Sequence, residues 1–156
     1  MDLKQLYQDI ILEHGKSPRN FGRCKKHTHE AKGYNPLCGD KVQIFLNLNK
    51  EKKVENLTFE GSGCAISMAS TSIMTELVKG KSLKVSKEIM GSFLNMVKNT
   101  SEMKSNHLDE DQKTIIMSLS GVKQFPMRVK CATLSWHTLS SAMEGKKEEV
   151  NTEVID

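Results

Sequence analysis

Along residues 3–13 the apolar side chains Leu3, Leu6, Tyr7, Ile10 and Ile11 recur at helical intervals, and Gly15 followed by Pro18 supplies a stop. The pattern predicts an amphipathic opening helix, with His14 near its C-terminus placed to favour the helix dipole. A polar, basic stretch containing Pro18, Gly22 and Gly33 follows and reads as loop, with a short strand over residues 27–34. Val42, Ile44, Leu46 and Leu48 then alternate with Gln43, Phe45 and Asn47, the period of a strand with one buried face. A polar turn over residues 49–52 leads into a second strand through Phe59, so the pair predicts a hairpin. Its apolar phase slips between Val54 and Leu57, which predicts a bulge.

After Gly61-Ser62-Gly63 the residues become small and apolar on most faces from Cys64 to the stop at Gly80, the mark of a buried helix with Cys64 at its N-terminus. Ile89, Met90, Phe93, Leu94 and Val97 set a further helix over residues 86–98, and a polar linker occupies 99–107. Asp109, Glu110 and Asp111 load negative charge onto the start of another helix, with Ile115, Ile116 and Leu119 on its apolar side and Gly121 at its end. Ala132, Trp136, Leu139 and Met143 mark a last helix beginning near residues 128–131. The expected organisation is a single domain over residues 1–143 and a charged, flexible tail over 144–156. The fold class is α+β, a small antiparallel sheet packed against several helices.

Composition narrows the function classes. With 37% hydrophobic and 27% charged residues and 3 prolines, the chain reads as globular rather than disordered. Its net charge of +4 is spread along the chain, not clustered with aromatics, so nucleic acid is not an expected partner. No apolar run reaches the roughly 18 residues of a membrane span and no leader pattern opens the chain, so a soluble, cytoplasmic protein is expected. In that setting the 4 cysteines, at long and unequal intervals, point to metal or thiol chemistry more than to disulfides.

Three segments carry candidate chemistry. Asn35-Pro36-Leu37-Cys38-Gly39-Asp40 reads as a tight turn in which Gly39 lets Cys38 and Asp40 aim at one point. In Gly61-Ser62-Gly63-Cys64 the positive end of the following helix lowers the cost of a thiolate at Cys64. Gln124-Phe125-Pro126-Met127-Arg128-Val129-Lys130-Cys131 delivers Cys131 to the start of the last helix. Three thiols and a carboxylate form a set suited to Zn²⁺, with Lys41, Arg128 and Lys130 close by in sequence to offset the net negative charge. The set lacks paired knuckles and a fourth Cys or His, which suggests a working site with an exchangeable ligand rather than a closed structural one. Spacing alone leaves open the plainer alternative that these are small buried core cysteines.

The same segments resemble the U-type iron–sulfur cluster assembly family, and within it the SufU-like zinc-dependent sulfurtransferases. The resemblance rests on Leu6-Tyr7 with Ile10-Ile11, Ser17-Pro18-Arg19-Asn20, Asn35-Pro36-x-Cys38-Gly39-Asp40, the stretch from Phe59 through Gly63-Cys64-Ala65 to Ser70, and Phe125-Pro126-x-Arg128-x-Lys130-Cys131-Ala132-Thr133-Leu134-x-Trp136. Two features are similar to the SufU-like branch: Lys130 stands where scaffold members carry a histidine, and residues 99–107 look like that branch's insertion. The resemblance implies an IscU/SufU-like fold and zinc held by Cys38, Asp40, Cys64 and Cys131. It implies that Cys38 takes persulfide sulfur from a pyridoxal-phosphate-dependent, SufS-like cysteine desulfurase and that downstream cluster assembly proteins receive it. Arg128 and Lys130 are the candidates for stabilising the negative charge that develops.

Weaker signals remain. Cys24, His27 and His29 form a C-x₂-H-x-H pattern that could chelate a metal, although polar loops carry such residues far more often without function. His137 lies about 240° around a helix from Cys131 and points away, while His107 sits in a linker. Three functions stay open: a zinc-dependent sulfur acceptor, a scaffold on which a [2Fe–2S] cluster is built on the same ligands, and an inert zinc-stabilised interaction module.

Overall fold

A computed structural model gives the fold; it describes residues 2–98 and 106–153. Most of the polar segment read as an insertion, residues 99–105, lies outside the described residues. The opening helix, α1, spans Leu3–Lys16 and is capped by Asp2, whose carboxylate accepts from the Gln5 N–H at 2.8 Å. Three strands follow, β1 (His29–Asn35), β2 (Asp40–Leu48) and β3 (Val54–Ser62), and they pair antiparallel in sequence order. The expected bulge is present as a register shift at Asn47/Leu48, opposite Val54. That shift keeps Val54, Leu57 and Phe59 all fully buried although their spacing breaks a strict alternation.

Helices α2 (Ala65–Val78), α3 (Leu83–Lys98), α4 (Glu110–Ser118) and α5 (Pro126–Met143) pack with α1 around the sheet. Trp136 of α5 joins them at the centre: its ring stacks on Phe93 with centroids 4.2 Å apart, and its Nε1–H donates to Ser70 Oγ at 2.9 Å. A buried indole needs such a partner, because an unpaired N–H in the core costs roughly 1–3 kcal/mol. Asp109 opens α4 with a capping box formed with Gln112, a device worth about 1 kcal/mol.

Three expectations need correction. The fourth helical pattern does not stop at Gly121 but runs on as a 3-10 segment, Leu119–Gln124, directly into the loop before α5; burial of Leu119 and Val122 against the core holds it in place. The chain after Met143 is not all frayed: Val150–Asn151 forms β4, which pairs parallel with β1, so the sheet is four-stranded in the order β3-β2-β1-β4 and mixed at one edge. His14 does not serve the dipole as a cation, because it is 4% exposed, and burial first and the nearby Arg19 second hold its pKa below the usual histidine value. No helix among the described residues is long and apolar enough to cross a membrane.

Candidate metal centre

Each of the three motif segments ends a regular element at one corner of the molecule. Asn35 closes β1 and pairs in register with Asp40, the first residue of β2, so the connection 36–39 is a tight hairpin loop. Gly39 takes a φ of 72°, a conformation that disfavours any side chain, and the turn leaves Cys38 exposed at the tip while Asp40 is fully buried. Cys64 is the N-cap of α2, its sulfur accepting from the Ser67 N–H at 3.4 Å. Cys131 sits inside α5 and is buried.

These elements bring the ligand atoms of Cys38, Asp40 and Cys131 within 4.8 Å of one another. Cys131 Sγ lies 3.2 Å from Cys38 Sγ. Cys64 flanks this trio, with its sulfur 3.8 Å from Asp40 Oδ2. Asp40 is the hub: its Oδ1 accepts the Cys64 backbone N–H at 2.8 Å, which leaves Oδ2 facing the thiols. Asn35, which opens the turn motif, is fully buried and donates from Nδ2 to Asp40 Oδ2 at 3.1 Å and to Cys131 Sγ at 3.5 Å.

The thiols polarise one another. A hydrogen bond from Cys131 is the main cause that lowers the Cys64 pKa to about 7; the Ser67 N–H helps, and burial and Asp40 oppose it. Cys131 is pushed well above the thiol range, first by donating to Cys64 and then by burial. Of the two, Cys64 is therefore the thiol more readily ionised and Cys131 the one that holds its proton more tightly. Tyr7 borders the cluster: burial raises its pKa most, a hydrogen bond and charge from Arg128 oppose this, and the thiol groups of Cys64 and Cys131 add to the rise.

A buried carboxylate without a cation is costly, and among the described residues no lysine or arginine pairs with Asp40. A divalent ion would offset that charge. The ligand atoms that converge are two sulfurs and one oxygen, from Cys38, Asp40 and Cys131, with Cys64 beside them against Asp40; sulfur and carboxylate donors of this kind fit Zn²⁺ by softness. The basic side chains expected to balance the charge are placed differently from that expectation. Lys41 lies over the Tyr34 ring at 5.7 Å, and Lys130 Nζ pairs with Glu153 Oε1 at 2.9 Å. Arg128 stacks over Phe125, 4.3 Å from the ring centroid, and hydrogen-bonds Tyr7. Of the three, it is the one with a contact to a group that senses the thiols.

The other candidate set does not converge. Cys24 is buried and accepts from Asn56 Nδ2 at 3.3 Å. His27 turns Nδ1 to the Cys24 carbonyl at 2.7 Å, and His29 bonds Thr28 Oγ1 at 2.7 Å. His137 lines a cleft with Ser140, Glu144 and Val150. His107 pairs with Glu88 at 3.0 Å. Tyr7 is not singled out by the sequence as a neighbour of the thiols, because there it serves as an apolar position of the first helix and as part of the family motif.

The chain matches the family described as the NifU-like N terminal domain over residues 6–145. It is 38% identical over 148 residues to the zinc-dependent sulfurtransferase SufU of Bacillus subtilis, covering 95% of each chain. It is 34% identical over 142 residues to the iron–sulfur cluster assembly scaffold protein IscU of Streptococcus pyogenes, covering 91% of this chain and 85% of the relative. The crystal structure of an iron–sulfur cluster assembly scaffold protein for the SUF system from Fervidobacterium islandicum superposes with a TM-score of 0.75 at 34% identity, covering 89% of this chain and 97% of that one. The N-terminal NifU-like protein of Brucella abortus shares the fold, with a TM-score of 0.79 at 18% identity over 92% of this chain and 95% of that one.

Proposed function

Because the chain belongs to the NifU-like N-terminal domain family, we propose that it serves iron–sulfur cluster assembly as a zinc-dependent sulfur acceptor, taking persulfide sulfur from a cysteine desulfurase. The observation that carries this reading is the asymmetry of the centre: Cys38 is exposed at a loop tip, while Asp40 and Cys131 beside it are buried. Cys38 is the most open member of the set to a partner protein, Cys64 is half-buried, and Asp40 and Cys131 are closed off.

Cys38, Asp40, Cys64 and Cys131 would hold Zn²⁺, which keeps thiols deprotonated at neutral pH when bound. The Cys38 thiolate attacks the outer sulfur of the desulfurase persulfide. A new S–S bond forms at Cys38, the bond to the desulfurase cysteine breaks, and that cysteine leaves as a thiolate, so no external oxidant or reductant is needed. Arg128, beside the thiols through Tyr7, supplies positive charge near the reacting sulfurs. Lys130, the other candidate, has its ammonium engaged by Glu153 and takes at most a minor share. The sulfur then passes to downstream cluster assembly proteins, and the pyridoxal-phosphate-dependent desulfurase and its acceptor share the cytoplasm.

The similarity to IscU scaffolds favours a second reading, in which a [2Fe–2S] cluster is built on the same ligands. Turnover of the cognate desulfurase, measured with the zinc-loaded protein and with its Cys38→Ala variant, separates the two. The acceptor stimulates turnover and the variant does not. Equal turnover with and without the protein, together with brown colour after anaerobic reconstitution, overturns sulfur acceptance in favour of the scaffold.

A further inference from the structure

The last described residues of the chain reach behind the metal centre. Val150 and Asn151 pair with Gly33 and Tyr34 of β1, and the Thr152 N–H continues the ladder by donating to the Tyr34 carbonyl at 3.1 Å. That pairing turns the Thr152 side chain inward, where it is 1% exposed and its Oγ1 donates to Asn35 Oδ1 at 3.0 Å. One residue on, Glu153 pairs with Lys130 of α5. The segment is thus tied to β1, which leads into the Cys38 loop, and to α5, which carries Cys131.

Asn35 stands between this segment and the ligands. A buried primary amide has a donor end and an acceptor end, and only the donor end is compatible with a carboxylate and a thiol sulfur. The hydroxyl of Thr152 satisfies the acceptor end, leaving both Nδ2 protons for Asp40 Oδ2 and Cys131 Sγ. If the amide turned over, its oxygen would face the Asp40 carboxylate inside a dry site, where an unmet repulsion of this kind is expensive. Hydrogen bonds to ligands from the outside fix their orientation and disperse their charge, and losing them commonly weakens metal binding 10–100-fold.

We propose that Thr152 is a positioning residue for the metal centre: its hydroxyl fixes the Asn35 amide with its NH₂ group toward Asp40 and Cys131, so the C-terminal segment sets the ligand geometry. The inference rests on the metal-binding reading above. It also gives the Lys130–Glu153 pair a role, that of holding the segment against α5.

The test uses the full chain as wild type, Thr152→Val and Thr152→Ser. Zinc affinity is read by competition with a chromophoric chelator, the cobalt(II) form by its visible spectrum, and metal-free stability by thermal melting. Thr152→Val, which keeps the shape and removes the hydroxyl, is expected to weaken zinc about tenfold and to shift the cobalt bands. Thr152→Ser should restore both. If Thr152→Val matches wild type in affinity and cobalt spectrum, whatever its melting temperature, the residue is only structural and the inference is overturned. If wild type itself holds no zinc against the chelator, the reading of the site fails, and the inference falls with it for that separate reason.

Discussion

The Cys64 backbone N–H donates to Asp40 Oδ1 at 2.8 Å, and Gly63 makes that approach possible: a Cβ on Gly63 would lie 2.4 Å from the same Oδ1. Gly63→Ala must therefore push Asp40 away from Cys64 and misplace the hub of the centre. The expected result is a loss of roughly 1–3 kcal/mol of metal-free stability, seen in urea unfolding, together with weaker zinc binding. Wild-type values for both would show that Asp40 does not depend on this close approach.

Cys38 and Cys131 are poised to react with each other when no metal separates them, since their sulfurs lie 3.2 Å apart. Metal removal followed by diamide, which accepts the two electrons released, should join Cys38 to Cys131. Non-reducing peptide mass spectrometry reads the cross-link, and prior loading with zinc should suppress it. Cys64 ionises more readily, with its pKa lowered to about 7, yet its sulfur packs on Asp40, so a dominant Cys38–Cys64 link would contradict the arrangement.

Much of this was legible in the sequence because local patterns determined it. The alternation of Val42, Ile44 and Leu46 reports the core face, but Phe45 on the opposite face is fully buried as well, against His27 and Arg23, and Leu48 is only partly buried. Burial of the core face also makes the bulge necessary where Val54 and Leu57 fall out of phase. The turn chemistry around Gly39 placed Cys38 and Asp40 together, and the glycines before Cys64 placed it on a helix start. What could not be read is long-range pairing. Thr152 meets Asn35 across 117 residues, and Lys130 meets Glu153 through the same added strand. A two-residue strand, Val150–Asn151, has no periodicity to detect, and its glutamate-rich surroundings read as solvated tail. The displacement of Lys41 and Lys130 from the thiols has the same origin, because proximity in sequence does not decide which way a long side chain turns.

The two cations nearest Cys131 in sequence should differ in consequence. Arg128 contacts Tyr7 beside the thiols, whereas the Lys130 ammonium is engaged by Glu153 on the partly exposed tail. Arg128→Met should reduce stimulation of the desulfurase at least tenfold, in line with removing a positioned charge from a reacting anion. Lys130→Met should stay within about twofold, because a partly exposed ion pair contributes about 0–1 kcal/mol. Saturating titrations of desulfurase turnover with each variant distinguish the two, and equal losses would give Lys130 a direct part in transfer.

His14 adds a pH dependence that is independent of the thiols. Its Nδ1 lies 2.7 Å from Ser72 Oγ, which accepts the Arg19 N–H at 2.8 Å, so the Ser72 proton is free to serve a neutral imidazole. Burial first, then the charge of Arg19, lower the histidine's pKa, while Glu13 opposes them. The unfolded chain, with an ordinary value of about 6.5, binds the proton that the fold refuses. This contribution to stability is complete above about pH 6.5 and is lost as pH falls toward the depressed folded value, at up to about 1.4 kcal/mol per pH unit. Urea unfolding of the metal-free protein between about pH 7 and pH 5 should show that decline, and His14→Gln, which retains a hydrogen-bonding group without titrating, should flatten it. An unchanged slope in the variant would mean that His14 takes up its proton in the folded state as readily as in the unfolded one.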